Sequence, residues 1–178
     1  MGTDQLTWFN QLPALAAQQT LLDCCSAPGW AEQMTAGRPY SSAEDAIKLS
    51  GAIVAALSPA DLAGALAGHP RIGERHDTSQ DDSDKHRLTA AGWSAREQAG
   101  VDAGDTRTRQ DLAEANLEYE QRFGHIYLVC ASGRTGTELL ALLRGRLQND
   151  PVDEWQVVRT ELQKINVLRL RQLLAGLP

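Results

Sequence analysis

The 178-residue chain is poor in the features that mark several large protein classes. It has three cysteines, Cys24, Cys25 and Cys130, and no C-x-x-C pair. Neighbours in sequence rarely bridge each other, and an odd count leaves one thiol over. Neither a disulfide framework nor a zinc knuckle is favoured, and a reducing compartment fits. Basic charge is also scarce: 17 Lys and Arg stand against 23 Asp and Glu, for a net charge of −6. A protein that tracks a phosphate backbone needs a basic face, and no Lys/Arg run supplies one, so nucleic acid is not an expected partner. No apolar run approaches the ~20 residues that a membrane span requires. The stretch "MGTDQLTWFNQLP" lacks the basic and apolar regions of a secretory signal, and "AGLP" is not a peroxisomal address. The expectation is a cytoplasmic protein with no membrane attachment.

Several catalytic signatures are missing as well. There is no G-x-x-x-x-G-K-[ST] phosphate loop and no G-x-S-x-G nucleophile elbow. His69, His76, His86 and His125 do not form H-E-x-x-H or another metal spacing, so no metal is expected. "VCASGRTG" looks like the phosphate loop of tyrosine phosphatases, but that loop needs its cysteine and arginine about six positions apart to wrap a phosphate in backbone amides. Cys130 and Arg134 are four apart, and the cradle cannot close in the same way.

What remains is helical. Hydrophobic residues make up 42% of the chain and charged residues 22%, which is ordinary for a globular protein. "TWFNQLPALAAQQTLLDCC" is apolar at helical spacing with a break near Pro13. "SSAEDAIKLSGAIVAAL" opens on an expected capping box, Ser41 with Glu44. "SPADLAGALAG" has Ser58 as N-cap, Pro59 at the first helical position, Asp61 in the first turn and Gly68 just past the end. The polar segment "ERHDTSQDDSDKHR" reads as a solvated loop. "SAREQAG" looks like another helix start, with Ser94 and Glu97 spaced as a box. "TRTRQDLAEANLEYEQRFG" is a long amphipathic helix ended by Gly124. "HIYLVCAS" fits either a strand or an extended buried run, and a lone strand has no evident partner. Two further helices flank a break at Asn149–Pro151. Without repeats, low-complexity tracts or a linker, residues 1–178 are expected to form a single all-α domain, a compact bundle of about seven to nine helices.

Two polar residues stand where the pattern calls for apolar ones, and a histidine stands at a rigid helix end. On the last helix, Val158, Leu162, Ile165 and Leu173 share a stripe at ~100° per residue, and Arg169 falls inside it. Lys164 and Arg171 point the other way. A buried guanidinium must find an acceptor, either as a structural ion pair or as an anion clamp, which its planar fork suits. On the preceding long helix, Asn116 sits in the stripe of Leu112, Tyr119 and Phe123, and the simpler expectation is that it ties the helix to a neighbouring loop. His69 lies between Gly68 and Pro70, which fix its backbone, and imidazole is the side chain best matched to proton transfer near neutrality.

Five pieces resemble the OHCU decarboxylase family, in that family's order: "SAPGWAE" at 26–32, "GHPRIGE" at 68–74, "SAREQAG" at 94–100, "NLEYEQRFG" at 116–124 and "ELQKINVLRLRQL" at 161–173. OHCU is 2-oxo-4-hydroxy-4-carboxy-5-ureidoimidazoline, an intermediate of uric acid degradation. The resemblance implies an all-helical homodimer that decarboxylates OHCU to (S)-allantoin without metal or organic cofactor. It implies that His69, Glu97 and Arg169 are catalytic: His69 as acid and base, Glu97 and Arg169 on the substrate. It places Pro70, Ser94 and Gln98 beside them and lines the substrate ring with Gly124, His125, Ile126 and Tyr127. The chain departs from two common forms in the family, reading "HPRIGE" for "HPDLAG" and "FGHIY" for "FGFPF". The non-enzymatic alternative is a helical adaptor that binds a partner through an apolar groove. It leaves Arg169 and the rigid Gly68-His69-Pro70 unexplained.

Overall fold

A computed structural model describes residues 5–73 and 106–175. Among them are eight α-helices and no strand: α1 (Gln5–Gln11), α2 (Ala14–Cys24), α3 (Pro28–Ala36), α4 (Ala43–Ala56), α5 (Pro59–Leu66), α6 (Thr106–Phe123), α7 (Gly136–Arg146) and α8 (Pro151–Ala175). The all-α class is as expected. The polar segment after Gly73, the "SAREQAG" helix start, Ser94, Glu97 and Gln98 lie outside the described residues. Among those described, no single helix is long and apolar enough to cross a membrane.

The contacts gather into two compact units. Unit one is 1–68 with 162–178, and unit two is 69–161. In unit one, α2 packs on α3 and α3 on α4. Its core holds Phe9, Leu21, Trp30, Met34, Leu62 and Leu162, each without exposed surface. The Trp30 indole donates to Ser50 Oγ at 3.0 Å, which joins α3 to α4 and satisfies a buried N–H. The carbonyls at the end of α1 cannot bond within that helix. Phe9 O accepts from the Leu12 amide at 3.3 Å, and Arg38 Nη1 donates to Phe9 O and Leu12 O, each at 2.8 Å.

The α4 cap falls one residue later than the Ser41–Glu44 spacing predicts. Ser42 is the N-cap and accepts from the Asp45 amide at 3.1 Å, while the Ser41 hydroxyl bonds the Asp45 carboxylate. Two serines in a row both have an acid three residues on. The helix buries Ala46, Ser50, Ile53 and Val54. On α5 the expected caps are present: Ser58 Oγ accepts from Asp61 N at 3.1 Å, and Pro59 opens the helix.

In unit two, α6 packs on α7 around Leu112, Tyr119, Tyr127, Val129, Leu139 and Leu143. Residues 126–131 form neither helix nor strand and are mostly buried. Buried backbone needs partners wherever it lies, and here side chains supply them. Arg146 Nη1 donates to Leu128 O at 2.6 Å, and Glu161 Oε2 accepts from Cys130 N at 2.9 Å.

Candidate active site

The C-terminal half of α6 holds two groups of the sequence-predicted residues. His69 and Pro70 follow α5 in a short turn and are half-buried, with His69 Nε2 shielded from solvent. Asn116 Nδ2 donates to Ile72 O at 3.0 Å, so α6 is tied to this turn as the sequence suggested. One helical turn further on, Glu120 takes the Arg71 fork, Nε to Oε1 at 2.6 Å and Nη2 to Oε2 at 2.9 Å. This pairing holds the Glu120 carboxyl below the usual carboxylate range.

Upstream of His69 the chain is constrained by contact. A Cβ built on Gly68 would lie 1.8 Å from Ser26 Oγ and 2.4 Å from Ser26 Cβ. The glycine expected for a left-handed helix end is required here by close approach instead, since Gly68 is not among the positive-φ glycines.

Gly124, which ends α6, does take a positive φ of 75°, and its amide donates to Glu120 O at 2.8 Å. The turn delivers His125 against Trp155, ring centroids 4.1 Å apart, and edge-on to Tyr119 at 5.5 Å. His125 Nδ1 lies 3.0 Å from Ile126 O. A carbonyl only accepts, so Nδ1 carries the proton. Burial lowers the His125 pKa below its ordinary value of 6.5, and the ring is neutral at pH 7. Its Nε2 is then a lone-pair acceptor, and this atom is buried with no hydrogen-bond partner among the described residues. Ile126 is half-buried. The Tyr127 side chain serves the core: it is 1% exposed, its hydroxyl donates to Leu139 O at 3.3 Å, and the Arg146 guanidinium lies 4.8 Å above its ring.

Arg169 belongs to unit one. It is 3% exposed, and Nη1 donates to Cys24 O, a carbonyl at the end of α2, at 3.1 Å. The stripe reading holds for Val158, Leu162, Ile165 and Arg169. Leu173 is half-buried, whereas Leu170 and Leu174 are buried. Lys164 and Arg171 are exposed, and Arg171 pairs with Glu44 at 3.1 Å. One turn before Arg169, Asn166 is wholly buried, and neither amide atom has a hydrogen-bond partner among the described residues. The Cys25 thiol is near it, and burial pushes that thiol's pKa up.

The loop that resembles a phosphate cradle is occupied by the chain's own carboxylates. Glu161 takes the Cys130 amide, and Glu138 takes the Thr135 amide at 2.7 Å and its hydroxyl at 2.8 Å in a complete capping box. Amides engaged by fixed anions cannot wrap a phosphate, and carboxylates would repel one. Among the described residues no group of three His, Cys, Asp or Glu side chains is placed to hold a metal ion. Sequence reasoning passed over Glu154 and Glu161, which are buried. At ~100° per residue both lie within about 60° of Val158, on the stripe already identified.

A family model described as OHCU decarboxylase matches residues 10–171. The chain is 32% identical over 151 residues to the uric acid degradation bifunctional protein TTL of Arabidopsis thaliana, covering 84% of this chain and 45% of that protein. It thus spans less than half of that relative. It is 31% identical over 150 residues to the 2-oxo-4-hydroxy-4-carboxy-5-ureidoimidazoline decarboxylase of Amia calva, covering 83% and 81% of the two chains. A solved structure, OHCU decarboxylase in the presence of (S)-allantoin, superimposes with a TM-score of 0.73 at 28% identity, covering 88% of this chain and 98% of that one. These likenesses define an all-helical decarboxylase, a carboxy-lyase. The chain belongs to the OHCU decarboxylase family.

Proposed function

We propose that the chain decarboxylates OHCU to (S)-allantoin in uric acid degradation, as a cytoplasmic homodimer, with His69 as the acid–base group and no metal or organic cofactor. Membership of the family across residues 10–171 carries this reading. The substrate's own chemistry supplies the electron sink that a cofactor would otherwise provide. The carbon bearing the carboxylate and the hydroxyl adjoins a C=N bond. When the C–CO₂ bond breaks, its electron pair forms a C=C bond and the imine pair moves onto nitrogen, which takes a proton. CO₂ leaves and an ene-ol remains. His69 accepts the hydroxyl proton as the C=O forms and delivers a proton to the adjacent carbon from one face, setting the S configuration.

That role needs an imidazole held in direction. The support for it is local: close packing before Gly68, Pro70 after, and the α6 contacts to Arg71 and Ile72. Arg169 is proposed to meet negative charge on the substrate; a preorganised donor of this kind is typically worth about 3 kcal/mol in the transition state. Glu97 is proposed to grip the ureido N–H groups, with Ser94, Gln98 and Pro70 beside it. Gly124, His125, Ile126 and Tyr127 are proposed to line the ring. The orphaned acceptor at His125 Nε2 suits a ring or ureido N–H, and the Tyr127 contribution falls to its backbone.

The test follows freshly generated OHCU by absorbance or circular dichroism. Wild-type chain should hasten its decay and enrich (S)-allantoin. His69→Asn should melt as wild type does and lose most turnover. Near-wild-type rates in His69→Asn would remove His69 from the chemistry.

A further inference from the structure

The turn that carries His69 is held from α6 at three points. Asn116 Nδ2 takes the Ile72 carbonyl at 3.0 Å in buried surroundings. The Ile72 side chain, 6% exposed, fills the core with Leu112, Ala115 and Tyr119. Arg71 lays both arms of its fork on Glu120. Asn116 and Glu120 are four residues apart, hence neighbours on one face of the helix. The anchored residues, Arg71 and Ile72, stand two and three places beyond His69. Pro70 occupies the gap and locks its own φ, so little backbone freedom separates the anchors from the imidazole. Gly73, two residues after Arg71, takes a positive φ of 83°.

We propose that Asn116 and the Arg71–Glu120 pair are positioning residues that set the approach of the His69 imidazole to the carbon it protonates; this rests on the reading of His69 as the acid–base group. Arg71 and Glu120 have side chains 44% and 21% exposed, and ion pairs that open to water add little to folding stability. A bidentate fork does fix orientation as well as distance. A misplacement of about 1 Å in a reacting group can cost roughly 100-fold in rate. The pair is therefore suited to geometry more than to folding. Asn116 supplies the complementary buried restraint.

The experiment uses the full chain, with Arg71→Gln, Glu120→Gln, the reversal Arg71→Glu/Glu120→Arg, and Asn116→Leu. Each is assayed for kcat, KM, melting temperature and the enantiomeric excess of the allantoin formed. Enantiomeric excess reports where the proton arrives, which a merely structural role would not move. The single exchanges at 71 and 120 should lower kcat about tenfold or more and erode the enantiomeric excess, with KM within about twofold and melting unchanged. The charge reversal should recover most of both losses. Asn116→Leu should lose kcat and enantiomeric excess beyond what any drop in melting temperature accounts for. Wild-type kcat and enantiomeric purity in the single exchanges would overturn the proposal. So would losses that the reversal fails to restore, or that simply follow melting. If His69→Asn retains turnover, the reading of His69 falls and this inference with it. If His69→Asn is dead while Arg71→Gln is fully active, only the inference falls.

Discussion

Arg146 and Glu154 form an ion pair inside unit two: Arg146 Nε donates to Glu154 Oε1 at 2.7 Å, and the side chains are 9% and 0% exposed. The Tyr119 hydroxyl donates to the same oxygen, and Asn149 Nδ2 reaches the other at 2.7 Å. Removing one partner of a buried pair strands the other. Glu154→Ala should therefore cost about 3–5 kcal/mol, read from urea denaturation at pH 7. The double exchange Arg146→Met/Glu154→Leu should cost less than Glu154→Ala, because both charges leave together.

Gly68 abuts Ser26, and the missing Cβ is the reason both fit. Gly68→Ala forces a clash with a short side chain that cannot swing far. Overpacking of this kind costs about 1–3 kcal/mol. A thermal melt of Gly68→Ala should show the drop, and Ser26→Gly in the same chain should restore most of it. An unchanged melt would show that the turn yields without strain.

His125 predicts a pH effect on stability. Burial lowers its folded pKa, with the nearby charges of Glu154 and Arg146 acting in opposite directions. The unfolded imidazole therefore binds a proton at higher pH than the folded one does. As pH falls below about 6.5, the unfolded state gains protons that the folded state refuses, and stability declines until the folded pKa is passed. Melting temperature should fall between pH 7 and pH 5 and flatten in His125→Phe. An identical slope in the variant would assign the effect to other groups.

Glu97 sits three residues after Ser94 and has two readings, a helix cap and a substrate clamp. Glu97→Gln keeps the shape and removes the charge. The clamp predicts loss of turnover at unchanged melting temperature. Lower melting with full turnover would assign Glu97 to the cap.

Much of this molecule was legible in local chemistry. Ser58, Pro59 and Asp61 start α5 because the hydroxyl accepts from the amide three residues on, the proline has no N–H to leave unpaired, and a first-turn acid suits the helix start. Pro13, Gly124 and Pro151 mark breaks for reasons internal to the backbone. The buried placement of Arg169 and the tie from Asn116 to a loop follow from helical periodicity, since a polar group on an apolar stripe must be buried and must find a partner. The choice of Ser42 over Ser41 was not legible. Both have an acid three residues on, so spacing alone does not select between them.

The amino-acid sequence by itself determined the helical class, because short-range sterics, capping and periodicity act over only a few positions, and its motifs marked the family and the candidate site residues. Only the tertiary structure decided which partners those residues meet. It gave Leu128 O to Arg146, Cys130 N to Glu161, the Arg71 fork to Glu120 and the space beside Gly68 to Ser26. Each of these joins positions at least eighteen residues apart. Contacts at such separations are set by how helices pack and where buried polar groups find neighbours, and no local pattern encodes them.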